Sequence, residues 1–377
     1  MIIKSIKARS IRDSRKQLTI QIAVNGQKAS SPSGKSTGKY ETPCYQKSLK
    51  DSISKINNLK ELKSLDINKF QDLKKVEKII KKKFRLSSAK KFGANALFAL
   101  ESAILKALAK SQKKELWQII NPNARKMPVP LGNAIGGGLH SHNKNAPIFQ
   151  EFLLIPKSNS IRQNVKMMNL VYKKLKKIIK TNSKNDEGAW QTSLNNEQVL
   201  QILKQFHQIR IGIDAASSSF YKKGEYNYRN KSLNKQAQIH YINSLIKKYN
   251  IFYFEDPMEE EDFKGFSKIK KRFLVAGDDL TATQISRLKK AIKTKSINSM
   301  IIKPNQNGSL LELKEIFDIC KKHKIKTILS HRSGETTDTA LADYAFGFQA
   351  DFIKTGISTK WRAGKLKRLI QIEKGLQ

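Results

Sequence analysis

Six short apolar runs, each closing on a polar or charged group, constrain the fold of this chain more than any other feature. They are RIGID to Asp214, IFYFED to Glu255, RFLVAGDD to Asp278, SMIIKP to Lys303, KTILSH to His331 and DFIKTG to Lys354. After a first interval of 41 residues, the spacings from Glu255 onward are 23, 25, 28 and 23. Intervals in the twenties suit one strand, one helix and two loops, and the segments between, such as SLLELKEIFDICKKHK, are amphipathic in the helical manner. This is the arithmetic of an α/β chain folded as a (β/α) barrel, in which functional groups gather at the C-terminal ends of the strands. A doubly wound open sheet competes, but it places its site at one crevice and needs no reactive side chain after every strand.

The N-terminal part has a different character. Residues 1 to about 30 alternate like strands (LTIQIAVNG), with Asn25-Gly26 as a hairpin turn. From about 46 to 119 apolar residues recur at spacings of three and four, as in FGANALFALESAILKALA, which predicts helices. The prolines and glycines of MPVPLGNAIGGG then interrupt any helix. The expected organisation is a small N-terminal α+β domain over residues 1–125 and a barrel domain over 126–377.

Carboxylates are scarce, since the chain holds 73 Lys+Arg against 31 Asp+Glu, a net charge of +42. Their positions therefore carry information. Asp214, Glu255 and Asp278 close three successive runs, and three oxygen ligands converging in a barrel mouth make a hard-cation site of the Mg²⁺ type. Asp279, followed by Leu-Thr, reads instead as a helix N-cap. Lys303, His331-Arg332 and Lys354 close the later runs and would face the carboxylates across the mouth. Such a site suits a substrate with both a carboxylate and a phosphate, and a lysine near another cation and a metal would have a lowered pKa, fit for a general base. SPSGKSTG is not a P-loop, because Ala29 stands where the first glycine is required; it reads as a mobile loop that folds over the site. The His140/His142 pair in GGGLHSH is weak as a zinc site, with no third ligand nearby in sequence.

The ordered set SGKSTG, KFGANA, GGGLH, QEF, DEG, GID, FEDP, GDDLT, IIKPNQ, SHRSGET and IKTG resembles the enolase family, in family order, from residue 8 to residue 373. The resemblance implies a small N-terminal α+β domain, an atypical (β/α)8 TIM barrel, and removal of water from 2-phosphoglycerate to give phosphoenolpyruvate with two Mg²⁺. It implies Lys303 as the base, Glu187 as the acid and Glu151 as the partner of that acid, with Gln150 beside it. It further implies Asp214, Glu255 and Asp278 as ligands of the first metal and Ser36 as the loop residue completing the second. Arg332 and Ser333 match the phosphate holders, Lys354 the group that binds the carboxylate and depresses the base, and His140 and His331 the site histidines. The chemistry is coherent: taking a proton beside a carboxylate makes a dianion that metals and cationic side chains must carry, and Glu151 beside Glu187 pushes a proton onto the pair.

The chain departs from the family at Lys16-Gln17-Leu18, Ser219, Ala189 and Trp361, all in loops or on surfaces used for subunit contact, although a homodimer is the family's usual assembly. No run approaches the roughly 20 apolar residues that span a bilayer, and MIIKSIKARS lacks an apolar signal core, so a cytoplasmic protein is expected. Cys44 and Cys320 have no CxxC partner and read as inert thiols. The basic surplus is denser in residues 1–125 and raises attraction to RNA or another polyanion as a second reading. The plainer reading is a set of solvated helix faces, because stretches such as KKVEKIIKKKFRL lack the interleaved aromatics that stack bases. A sister enzyme acting on another acid is disfavoured, because SHRSGET supplies a phosphate grip.

Overall fold

The computed structural model describes residues 1–35, 38–141, 143 and 145–376. It opens with an antiparallel sheet of Ile6–Arg12, Leu18–Val24 and Gln27–Ser30, in that order. Alternation sends Ile20, Ile22 and Val24 to a fully buried face. Asn25 and Gly26 take positive φ, 47° and 80°, the requirement of a two-residue type I′ turn.

Helices Leu49–Asn57, Leu73–Phe84 and Ala94–Ser111 follow. Ser48 caps the first by accepting from the Asp51 amide, which satisfies one of the free N–H groups of the first turn. The second buries Leu73, Val76 and Ile80 and leaves Lys74, Lys75, Lys78, Lys81, Lys82 and Lys83 exposed, so this lysine run is a solvated helix face. The third is buried almost all round, because the sheet covers one side and barrel elements the other. At that contact Gly308 has φ +96°, and a Cβ on it would lie 2.6 Å from Ala94 Cα. The glycine of NQNG thus lets two backbones meet between the domains, whereas Gly93 of KFGANA admits the backbone of Cys44 and Tyr45 within the N-terminal domain.

Eight strands close the barrel: Val129–Gly136, Glu151–Pro156, Ile209–Asp214, Tyr253–Glu255, Leu274–Gly277, Ser299–Ile302, Lys326–Ser330 and Phe352–Lys354, with the last pairing to the first. Leu131, Leu153, Ile155, Tyr253, Ala276, Ile301, Ile328 and Phe352 fill its interior. One strand breaks the regular alternation. Glu151–Pro156 runs antiparallel to both neighbours, with Glu151 opposite Gly136 and Asp214. Antiparallel neighbours need no crossover helix, and the connection between the first two strands brings Leu139, His140 and Gln150 to the mouth. The 41-residue interval between Asp214 and Glu255 holds a small antiparallel sheet (Tyr221–Lys222, Glu225–Tyr228, Lys231–Leu233) and the helix Lys235–Tyr249.

Candidate active site

The strand ends bring together the side chains that the sequence singles out. Asp214 and Glu255 sit opposite each other in parallel register; Asp278, Lys303 and His331-Arg332 each follow a strand, and Lys354 ends the last. Glu151 reaches the same mouth because its strand is reversed. One cleft is lined by Glu151, Glu187, Asp214, Asp278, Lys303, His331, Arg332, Ser333 and Lys354, with His140 and Gln150 on the wall. Ser36 and His142 lie outside the described residues. The neighbouring loop residue Ser33 exchanges backbone hydrogen bonds with Gly334 at 2.7 and 2.8 Å, and Lys35 donates to the Leu139 carbonyl at 3.1 Å.

Lys354 occupies the centre of the carboxylate group. Its ammonium is 3.0 Å from Asp214, 2.8 Å from Glu255 and 3.0 Å from Glu151. Glu255 does not reach the cleft wall; it is fully buried beneath Lys354 and accepts from the Tyr253 hydroxyl at 2.6 Å. Burial and the nearby Asp214 push the Glu255 carboxyl well above its ordinary range in spite of Lys354. Lys303 pairs with Asp278. Burial would lower the Lys303 ammonium, but Asp278 carries it net upward, so the lowered lysine expected from its neighbours is not found in this arrangement. Asp279 also departs from expectation: the following helix begins only at Ile285, with Gln284 at its cap. Its carboxyl instead faces the site within 4.8 Å of Asp278 and Asp256, and burial with Asp278 pushes it up to about 7. Asp256, missed in the sequence, shapes this corner by accepting the Asp278 and Asp279 amides at 3.0 and 2.7 Å.

These donors fit a hard divalent cation. They are all oxygens, they outnumber the ammonium groups among them, and Asp278 Oδ1 is buried with no hydrogen-bond partner.

On the opposite wall His140 Nδ1 lies 3.5 Å from Glu151 and 3.9 Å from Glu187, so the carboxylates absent from its sequence neighbourhood come from elsewhere in the chain. Burial would lower the His140 imidazole, but Glu187 and Glu151 raise it overall. Burial would raise the Glu187 carboxyl, but His140 and Arg362 hold it down to about 2. Glu151 also hydrogen-bonds Glu187, so the two carboxyls lie close enough to share a proton, with the His140 imidazole as a third group beside them. His331 is the opposite case, pushed well down by burial and by Arg362.

On the phosphate side, Arg332 is held by Glu41, with Nη1 and Nη2 2.9 and 3.1 Å from its oxygens, and Nη1 also donates to Asn305 Oδ1 at 3.2 Å. Arg15 donates to Ser333 Oγ at 3.1 Å. A buried Lys365–Glu335 pair at 2.6 Å backs this loop, with Glu335 accepting the Arg332 amide at 3.0 Å. Glu41, Arg15 and Lys365 escape sequence reasoning because none ends a barrel strand, and Arg362 enters it only as the arginine that the family's Glu-Arg pair leaves in Trp361-Arg362, with no role attached. The only available signals are the glycines of SHRSGET and IKTG, which mark close approaches.

Two family models cover nearly the whole chain. "Enolase, N-terminal domain" matches residues 3–120 and "Enolase, C-terminal TIM barrel domain" matches residues 124–377. The chain is similar to the enolase of Methanocorpusculum labreanum, 36% identical over 402 aligned positions that cover 98% of each chain. It is 35% identical to that of Methanosphaera stadtmanae, covering 100% of this chain and 97% of the relative. Against the enolase of Archaeoglobus fulgidus it is 34% identical, covering 99% and 97%. A closed eight-stranded barrel, a small N-terminal sheet domain and full-length similarity agree: the chain belongs to the enolase family of lyases, the phosphopyruvate hydratases.

Proposed function

We propose that the chain catalyses the reversible, Mg²⁺-dependent removal of water from 2-phosphoglycerate to give phosphoenolpyruvate, the enolase step of glycolysis and gluconeogenesis. The observation that carries this reading is the convergence in one cleft of a lysine, a paired-carboxylate wall, a hard-oxygen corner and an arginine–serine pair. In this reading Asp214, Glu255 and Asp278 hold a first Mg²⁺, and Ser36 helps hold a second. Bound there, Mg²⁺ would supply positive charge to the substrate carboxylate as electrons move onto it, and Asp278, engaged as its ligand, would no longer hold the Lys303 ammonium.

Lys303, in its neutral form, takes the C2 proton on Nζ. The C3 hydroxyl then departs as water, with a proton delivered from Glu187, so that one proton is gained by the lysine and one lost by the acid. Glu151 and His140 set the proton balance of that acid. Lys354, released from the carboxylates around it, faces the substrate carboxylate, while Gln150 lines the wall beside Glu151. Arg332 and Ser333 hold the phosphate, and the fork of Arg332 suits its oxygens. The same reading divides the chain at residues 125/126, a division supported by the separate matches to 3–120 and 124–377.

The test is to mix the purified chain with 2-phosphoglycerate and Mg²⁺ and to follow the ultraviolet absorbance of phosphoenolpyruvate. Turnover is expected, and Lys303→Ala should abolish it with the fold intact. Absence of turnover in the folded native chain would sink the reading.

A further inference from the structure

Arg362, on the helix Lys360–Gly375, is fully buried, and its hydrogen bonds run into the site and to the start of its own helix. Its Nε donates to His331 Nδ1 at 3.1 Å, and Nη2 donates to the Arg332 and Ser333 carbonyls at 3.3 and 3.2 Å. Nη1 donates to Thr359 Oγ1 at 3.1 Å, and Nη2 lies 4.0 Å from Glu187 Oε1. The stem reaches this position past Gly356, which has φ +73° and whose added Cβ would come 2.5 Å from Arg362 Cδ. The backbone of IKTG is thus shaped around this one side chain.

A guanidinium nitrogen in a protein is always a donor and never an acceptor. His331 Nδ1 must therefore offer its lone pair to Arg362, which leaves the ring proton on Nε2. Nε2 faces Glu187 Oε2 at 3.9 Å. A second proton, on Nδ1, would set N–H against N–H in a buried space. We propose that Arg362 is the positioning residue that fixes His331 as its Nε2–H tautomer, aimed at Glu187, and that holds the Arg332–Ser333 backbone in place.

The inference rests on the function proposed above, in which Glu187, Arg332 and Ser333 serve the dehydration. Its chemical consequence is specific. With Nδ1 engaged and Nε2 already carrying a proton, His331 presents an N–H toward Glu187 across 3.9 Å and does not capture a proton from it, so that proton stays reserved for the departing hydroxyl. This is the reverse of the role of His140, which competes for that proton.

The experiment uses the full-length chain labelled with ¹⁵N-histidine and a two-bond ¹H–¹⁵N correlation at neutral pH, with His331→Gln identifying the signal. His331 is expected to show a protonated Nε2 and an unprotonated Nδ1. In Arg362→Met the pattern should change to a mixture of tautomers or to the cation, with kcat lower by about 100-fold, and Arg362→Lys, which keeps a donor, should recover part of both. A native enzyme whose His331 is protonated on Nδ1, or an Arg362→Met variant with unchanged tautomer and kcat, overturns the inference. If Arg362→Met does not fold, the spectrum of the native chain still decides. A native chain that shows the expected tautomer but does not turn over 2-phosphoglycerate overturns the proposed function instead.

Discussion

Glu41 of the N-terminal sheet domain grips both terminal nitrogens of Arg332 in the barrel, at 2.9 and 3.1 Å, and takes the Gly38 amide at 2.9 Å with one of the same oxygens. A bidentate carboxylate fixes the plane of a guanidinium as well as its charge. Glu41→Gln presents one acceptor and one donor to that fork, so Arg332 should lose its fixed plane. The KM for 2-phosphoglycerate is expected to rise by about tenfold, or roughly 1.4 kcal/mol, with a smaller change in kcat. Steady-state kinetics on the native and variant chains check this; an unchanged KM contradicts it.

Lys354 is the only ammonium that touches Asp214, Glu255 and Glu151 among the described residues. Replacing it by Met leaves buried carboxylates uncompensated, a loss on the order of 3–5 kcal/mol. Urea denaturation in chelator should show that loss. Added Mg²⁺ should stabilise Lys354→Met more than the native chain, because the cation meets a larger unbalanced charge.

Acid should act at the domain junction through Asp338. Its carboxylate meets Lys106 at 2.6 Å and accepts the Ser30 and Ala340 amides. Burial would raise the Asp338 carboxyl, but Lys106 and these bonds hold it below the usual aspartate range. A depressed folded value gives stability that is complete above the unfolded value of about 3.9 and is lost as pH falls through the folded one. The stability difference between the native chain and Asp338→Asn should therefore be largest near neutral pH and should shrink below about pH 5. A difference that grows on acidification would contradict this.

Gly308→Ala combines an unfavourable φ of +96° with a Cβ 2.6 Å from Ala94 Cα. A backbone atom cannot swing away as a side chain can, so a cost of about 1–3 kcal/mol is expected. Thermal or urea unfolding measures it. Gly26→Ala, with positive φ but nothing within 4 Å, is the control and should cost less.

Most of the architecture was legible because the barrel writes its period into the chain. A side chain needed at the mouth must close an apolar run, and Asp214, Glu255, Lys303 and Lys354 all do so. The reversed strand was not legible from this rule, since its mouth residue, Glu151, opens the run FLLIP. Only the family pattern pointed to it. Glu41 and the contacts of Arg362 were not legible because a contact between distant segments leaves no local period. The charge balance around Lys303 and Glu187 was not legible for a related reason: Lys303 is set by its contact with Asp278 and Glu187 by its imidazole and guanidinium neighbours, and neither distance can be read from spacing. The +42 charge informs on the site only through the scarcity of carboxylates behind it, because surface lysines such as those of Leu73–Phe84 carry no positional demand.

The direction of the second barrel strand also decides where this enzyme can tolerate change. In an ordinary repeat the segment after a strand emerges beside the chemistry, and lengthening it disturbs catalysis. Here Glu151–Pro156 begins at the mouth and ends at the opposite floor, so Lys157–Ser160 emerges at the other end of the barrel from Lys303 and Glu187, whereas the connection before it contributes Leu139, His140 and Gln150 to the cleft. A tag, an epitope or a whole guest domain inserted at Ser158 should leave turnover intact, and the same insertion at Asn143 should not.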